Sequence, residues 1–180
     1  GEYEKWWKDY CIRVNFSCPQ IIVRGGITRF HSVKAALAKV PDGAIVAIHD
    51  GVRPMLTREM IRTMFGSIDT DPDCHALIPV LPSIDTLKKL TRDSGGNLVS
   101  SGEGVDRSEI FGAQTPQIFR SEEIKAAYSQ PYDTLFTDDA SVAEKYKIPL
   151  TFCEGERLNF KITSPEDMVL AEAVLGLKTR

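Results

Sequence analysis

The chain has 180 residues, of which 42% are hydrophobic and 26% charged, and it carries a formal net charge of −3. That length suits one domain with a sizeable core, or one domain with an appendage, and the acidic balance argues against non-specific binding to nucleic acid or to an anionic membrane. No apolar run approaches a bilayer span and no signal peptide is visible, while Cys11, Cys18, Cys74 and Cys153 form no CxxC pair, a pattern of reduced cysteines in a cytoplasmic protein.

Taken in order, residues 2–11 place Tyr3, Trp6, Trp7, Tyr10 and Cys11 on one face of a helix. An aromatic stripe at this spacing is far more often core packing than a ligand box. An α/β domain seldom opens on a helix whose broad apolar face needs a sheet to cover it, so the chain is expected to have lost its beginning. Residues 20–23 predict a short strand, broken by Gly25-Gly26. Residues 32–40 then put Val33, Ala36, Leu37 and Val40 on one helical face, with Ser32 near the start as an N-cap. The passage is similar to a nucleotide-binding turn but is not GxGxxG, and a plain βα loop also explains it.

Residues 44–48 are an unbroken apolar run, too short for a helix of its own, and predict a strand buried on both faces of a parallel sheet. Asp50, Gly51, Arg53 and Pro54 follow at once, in the place where open α/β sheets bind ligands. An acid and a guanidinium there, with a glycine admitting the backbone, suit a phosphate-bearing ligand; a capping Asp and a surface Arg would explain the same residues. A helix from about Thr57, with Met60, Ile61, Met64 and Phe65 inward, and a strand over 74–81 complete an alternating α/β order, a parallel sheet wrapped by helices.

The pattern then changes. Residues 85–90 and 97–101 predict polar strands around the hairpin signal Asp93-Ser94-Gly95-Gly96, and 105–117 has neither helical nor strand-core character. An arm over about 83–113 cannot bury much of itself and is expected to pack on a second subunit, or flat on its own domain. Helices return at 121–128, capped by Ser121, and at Thr137, where a Thr cap precedes two acids. Strands are expected at 150–153 and 158–162, and a last helix from Ser164-Pro165-Glu166-Asp167. Lys161 falls inside the second of those strands, where a buried ammonium needs an anionic partner; on an edge strand it would simply meet solvent.

Six segments stand in a telling order: Gly25-Gly26 with Arg29 and Ser32-Val33; His49-Asp50 with Arg53-Pro54; Val105-Asp106-Arg107; Gln114-Thr115-Pro116-Gln117; Thr137-Asp138-Asp139-Ala140-Ser141; and Asn159-Phe160-Lys161-Ile162-Thr163 with Pro165-Glu166-Asp167. From about residue 20 to its end, the chain resembles the 2-C-methyl-D-erythritol 4-phosphate cytidylyltransferases, CTP-dependent enzymes of the non-mevalonate isoprenoid pathway. The resemblance implies a three-layer Rossmann-like nucleotidyltransferase sheet with helices on both faces, a single domain over 1–180, and a protruding β-arm that joins a homodimer. It implies CTP and methylerythritol phosphate as substrates, with Mg2+ riding on the CTP phosphates.

By the family's pattern, Gly26 and Ser32 would hold the cytosine, and Asp50 with Gly51 the nucleotide ribose–phosphate region and the methylerythritol hydroxyls. Lys161 would bridge the α-phosphate and the incoming phosphate. Arg53, Thr115 and Thr137 would line the methylerythritol phosphate pocket, and Thr86 and Arg107, on the arm, would cross to the partner subunit's site. The expected catalytic residues are Lys161, Asp50 and Arg107, and Asp50 is the one acid nominated near the metal. Family members begin with a strand and a basic glycine-rich loop around the CTP triphosphate, and nothing in this sequence matches it, which strengthens the expectation of a longer protein. Gly51-Val52 stands where many relatives have two alanines. Ribitol 5-phosphate cytidylyltransferases share several of these motifs, but Asp-Arg-Ser at 106–108 and Asp-Asp-Ala-Ser at 138–141 lean towards the methylerythritol enzymes. A nucleotide-binding or assembly module without turnover is the rival from another class.

Overall fold

The computed structural model describes residues 2–102 and 104–178; Gly1, Thr179 and Arg180, at the limits of the expected 1–180 domain, and Glu103, in the expected arm, lie outside them. The organising strand is β2 (Ala76–Pro82), whose first four residues are fully buried. On one flank β7 (Leu150–Glu154) runs parallel to it. On the other flank lie β5 (Phe111–Ala113) and β6 (Gln117–Arg120), both antiparallel, and β1 (Ile45–Ile48) pairs antiparallel with β6. The order is therefore β1-β6-β2-β5, with β7 also on β2.

This corrects the all-parallel expectation. The run at 44–48 does form a strand, but it is only half-buried and has β6 as its one partner in the described sheet. The strand it pairs with falls partly in the stretch expected to lack strand character. Gln117 and Arg120, at the two ends of β6, are polar, yet both are satisfied inside the fold. The Gln117 amide donates to Asp138 Oδ2 at 2.8 Å and accepts from the Ala140 N–H at 2.7 Å. Arg120 donates to the carbonyls of Ile68, Asp71 and Cys74. With those groups paired, Ile118 and Phe119 can be wholly buried between them.

Alternation along the strands divides the core in two. Ala76, Ile78 and Phe119 pack with residues of α2 (Arg29–Leu37), α4 (Ser121–Ala127) and α5 (Asp139–Lys145). Leu77 and Ile118 pack instead with Met60, Met64 and Ile68 of α3 (Arg58–Thr70). Phe30 stacks on Tyr128 and Phe136, with centroids 4.7 and 5.5 Å apart. Each large apolar side chain buried this fully contributes about 1.5–3 kcal/mol relative to exposure.

The helix starts differ from the sequence expectation in detail. The helix expected from about Thr57 starts there, with Thr57 as the cap of α3, but Thr28, not Ser32, caps α2. Asp138, not Thr137, caps α5, in a reciprocal capping box with Ser141. Ser121 is buried and does not cap α4; its hydroxyl accepts from the Ala44 N–H and donates to Glu122, tying α4 to the start of β1. Residues 20–23 and 158–162 are not strands. The first helix, α1 (Glu2–Arg13), forms, but Tyr3 and Trp6 are exposed and only Cys11 of its stripe is buried. The last, α6 (Pro165–Lys178), opens on paired bonds between Ser164 and Asp167.

At the end of the expected arm, Phe111–Ala113 pairs with the main sheet. The arm's tip is a hairpin of β3 (Leu90–Arg92) and β4 (Leu98–Ser100), turned on the Asp93 carboxylate, which accepts from the Gly95 and Asn97 N–H groups. The hairpin does close on itself, yet every residue of both strands is exposed.

Candidate active site

Asp50 lies two residues beyond the end of β1. Its N–H donates to Thr115 Oγ1 at 2.9 Å, and its carbonyl accepts from the Arg53 N–H at 3.0 Å, closing a turn. Three cations face its carboxylate: Lys161 Nζ 3.2 Å from Oδ2, Arg53 Nε 3.7 Å from Oδ2 and Arg29 Nη2 3.5 Å from Oδ1. Burial pushes the Asp50 carboxyl up, but the hydrogen bond and charge of Lys161, and then Arg29 and Arg53, outweigh it and hold the group below the usual carboxylate range. These residues line a cavity of about 150 Å³ together with Thr115, Gln117, Thr137 and Asp138.

Lys161 reaches this cavity from a loop, not from a buried strand, and its anionic partner is Asp50. The loop is pinned along its length. Gly155 N donates to Val80 O at 2.8 Å, and Gln114 exchanges bonds with the Glu156 backbone at 2.9 and 3.1 Å. A Cβ on Gly155 would sit 2.6 Å from Gln114 Oε1, so a larger residue would displace the Gln114 amide from its bonds to the Glu156 backbone. Buried Asn159 donates to Thr115 O at 2.8 Å, and its own carbonyl accepts from Arg53 Nη1 at 2.7 Å. The Ile162 N–H then donates to Val52 O at 2.9 Å, setting Lys161 beside the Asp50 turn. Thr115 Oγ1 accepts from Asp50 and lies 3.0 Å from His49 Nδ1, while His49 Nε2 lies 3.0 Å from Arg53 O. A carbonyl only accepts, so this network assigns the imidazole proton to Nε2 and makes Thr115 the donor to Nδ1.

Five of the expected site residues therefore converge: Asp50, Arg53, Thr115, Thr137 and Lys161. Gly51 is the next residue outward, exposed, with open space where a Cβ would stand. Gly26 and Ser32 form a separate turn, in which Gly26 N donates to Ser32 Oγ and Ser32 Oγ donates to Thr28 O, both at 3.0 Å. A Cβ on Gly26 would meet His31 Cβ at 2.3 Å, so that position requires glycine. Thr86 and Arg107 are exposed on the arm and line no part of this cavity; Arg107 Nη1 donates to Ile84 O at 2.8 Å.

Sequence reasoning gave no role to Arg29, Gln117 or Asp138. Its position inside the Gly25–Val33 motif, three residues after the glycine pair, was the only signal for Arg29. The two acids at 138–139 had a sufficient explanation as helix-start residues, and that explanation hid the complete burial of Asp139. Among the described residues, no group of three or more His, Cys, Asp or Glu side chains gathers as for a metal ion. The cysteines there are all free.

One consequence is a pH dependence. A carboxyl whose folded value is depressed adds stability that is present above its unfolded value and is lost as pH falls through the folded one. Asp50 thus contributes at neutral pH and progressively less below the ordinary carboxylate range. The gap in thermal midpoint between the wild type and Asp50→Asn should narrow on acidification, measured by calorimetry across that range; a gap independent of pH would contradict the pairing.

The chain matches the IspD family, 2-C-methyl-D-erythritol 4-phosphate cytidylyltransferase, over residues 10–177. It is 42% identical over 174 residues to the protein of that name from Bacteroides thetaiotaomicron, covering 97% of this chain and 75% of the relative. The Bacteroides fragilis protein of the same name is 40% identical with the same coverage. Among solved structures, the 4-diphosphocytidyl-2C-methyl-D-erythritol synthase of Anaerococcus prevotii superposes with a TM-score of 0.75 at 26% identity, over 97% of this chain and 75% of that one. The Thermus thermophilus cytidylyltransferase gives 0.70 at 28% identity, over 89% and 78%.

Proposed function

The chain belongs to the 2-C-methyl-D-erythritol 4-phosphate cytidylyltransferase family, and we propose that the pocket around Asp50 and Lys161 is where it carries out that family's reaction. The reaction transfers a cytidylyl group from CTP to 2-C-methyl-D-erythritol 4-phosphate, giving 4-diphosphocytidyl-2-C-methyl-D-erythritol and pyrophosphate for isoprenoid precursor biosynthesis. The observation that carries the assignment to this pocket is Lys161. It is half-exposed, held 3.2 Å from Asp50, and flanked by Arg53 and Arg29 in a cavity whose walls also offer the Thr115 and Thr137 hydroxyls.

An oxygen of the acceptor phosphate attacks the α-phosphorus of CTP, and the bond from that phosphorus to the pyrophosphate oxygen breaks. The attacking and leaving groups are both anionic, so the protein's work is alignment and neutralisation of charge. An ammonium has three donors. Lys161 spends one on Asp50 and turns the others to the α-phosphate and the incoming phosphate. Arg53, Thr115 and Thr137 hold the methylerythritol phosphate. Asp50 fixes Lys161 and, with Gly51, receives the ribose–phosphate region of the nucleotide and the methylerythritol hydroxyls. Gly26 and Ser32 hold the cytosine.

Mg2+ enters with CTP as part of that substrate, neutralising phosphate charge. The donors present do not fit a protein-held ion, because both Asp50 oxygens already face cations and magnesium asks for free oxygen ligands in near-octahedral array. The exposed hairpin supports a homodimer joined through the arm of about 83–113, which brings Thr86 and Arg107 to the partner subunit's pocket. The two-sided core supports a single domain of three layers, and the free cysteines support a cytoplasmic location. Methylerythritol phosphate and ribitol 5-phosphate, offered together with CTP to the full gene product, are the test. The methylerythritol product should dominate the mixture; equal use of both, or preference for ribitol phosphate, would remove the assignment.

A further inference from the structure

We propose that Arg29 is a positioning residue for the cytidylyl transfer, holding the Asp50 carboxylate in place from a buried anchor and so keeping Lys161 free for the phosphates. The inference rests on the pocket assignment above and adds to it a residue with no assigned role. Arg29 is the first residue of α2, directly after the Thr28 cap and the Gly26–Ser32 turn. Its guanidinium forks onto Asp139, with Nη1 2.9 Å from Oδ1 and Nη2 2.6 Å from Oδ2. Asp139 is fully buried at the start of α5, and its Oδ1 also accepts from the Tyr128 hydroxyl at 2.5 Å. A buried carboxylate must be paired, and a bidentate guanidinium with a phenol hydroxyl does this in one fixed geometry.

With both prongs of the fork committed, Nη2 still directs a bond towards Asp50 Oδ1 at 3.5 Å. The other oxygen, Oδ2, is the one that meets Lys161 and Arg53. Asp50 is thus braced at both oxygens, at Oδ1 by a guanidinium anchored on buried Asp139 and at Oδ2 by the half-exposed Lys161 and by Arg53. Remove the brace, and the carboxylate can turn wholly towards Lys161 and take up the donors that the phosphates need. The loss then falls on the chemical step. Lysine in place of Arg29 keeps the charge but cannot grip Asp139 with two bonds and reach Asp50 as well.

The test is a double-mutant cycle, Arg29→Lys in the wild-type and Asp50→Asn backgrounds, with kcat normalised to folded enzyme. The expected result is a fall in kcat of about 10- to 100-fold in the wild-type background, the scale of a small misplacement, larger than the change in KM for either substrate. In the Asp50→Asn background, which has no carboxylate to brace, the same substitution should cost less than about threefold. An equal loss in both backgrounds overturns the inference, because a purely structural arginine would act through either. If Arg29→Lys fails to fold, Tyr128→Phe loosens the anchor more gently, and its smaller loss of kcat should likewise vanish in Asp50→Asn; persistence there is again contrary. Should Asp50→Asn itself turn over like the wild type, the pocket assignment fails, and that outcome is distinct from a failure of the brace.

Discussion

Lys161→Ala is expected to lower turnover by about 100- to 1,000-fold in the full gene product, the usual cost of removing one preorganised donor aimed at transition-state charge. The loss should be concentrated in kcat, because the phosphate charge that Lys161 meets is greatest when the new bond forms and the old one breaks. The fold should survive the change. Lys161 projects from a loop whose backbone bonds do not depend on its side chain, and Arg29 and Arg53 remain to neutralise Asp50. For a half-exposed pair the stability change should stay within about 1 kcal/mol. Lys161→Arg is not expected to rescue fully, since a planar fork cannot reproduce a compact ammonium between two phosphates. Wild-type kcat in a Lys161→Ala enzyme with a native melting curve would make Lys161 a structural lysine.

Mixing two impaired proteins, at methylerythritol phosphate well below the KM of the Arg107→Ala variant, should restore activity. Arg107 lies on the exposed arm and does not line the pocket of its own chain. If it serves the partner's pocket, Arg107→Ala raises KM for methylerythritol phosphate far more than KM for CTP, through lost charge-assisted bonds to the phosphate. In a mixed dimer of Arg107→Ala and Lys161→Ala subunits, one site then carries both defects and the other carries neither. Activity should rise towards about a quarter of wild type at full, random exchange, since half the dimers are mixed and each has one intact site of two. Subunit exchange demonstrated by mass labels, with no return of activity, would place Arg107 in the service of its own subunit.

Much of the site was legible in the sequence because its residues sit where β-strands end and helices begin. Asp50 and Arg53 follow an apolar run, and Thr137 precedes a helix, positions that local chemistry marks without knowledge of the fold. The sheet was less legible. The alternation of strands and helices suggested parallel pairing, but β6 enters between β1 and β2 in the opposite sense, and its Gln117 and Arg120 concealed it. Their polarity looks wrong for a core strand until Asp138, Ala140 and the carbonyls of Ile68, Asp71 and Cys74 are seen to satisfy them. The stretch at 158–162 misled in the other direction. Leu158, Phe160 and Ile162 alternate as a strand would, but Asn159, Gln114 and Arg53 pin the backbone into a loop. Arg29 shows a further limit: its importance depends on Asp139 and Tyr128, about a hundred residues away in the chain, and no local pattern reports such a contact.

In the proposed reaction the acceptor's own phosphate attacks CTP in the pocket of Asp50 and Lys161. Methylerythritol phosphate carrying oxygen-18 in its phosphate group, incubated with CTP and the full gene product, tests it most directly by phosphorus NMR. The label should stay with the methylerythritol-linked phosphorus and the bridging oxygen of the product. Unlabelled pyrophosphate should appear in equal amount, and Lys161→Ala should give the same products far more slowly. Label in the pyrophosphate, or CTP consumed without a diphosphate-linked methylerythritol product, would contradict it.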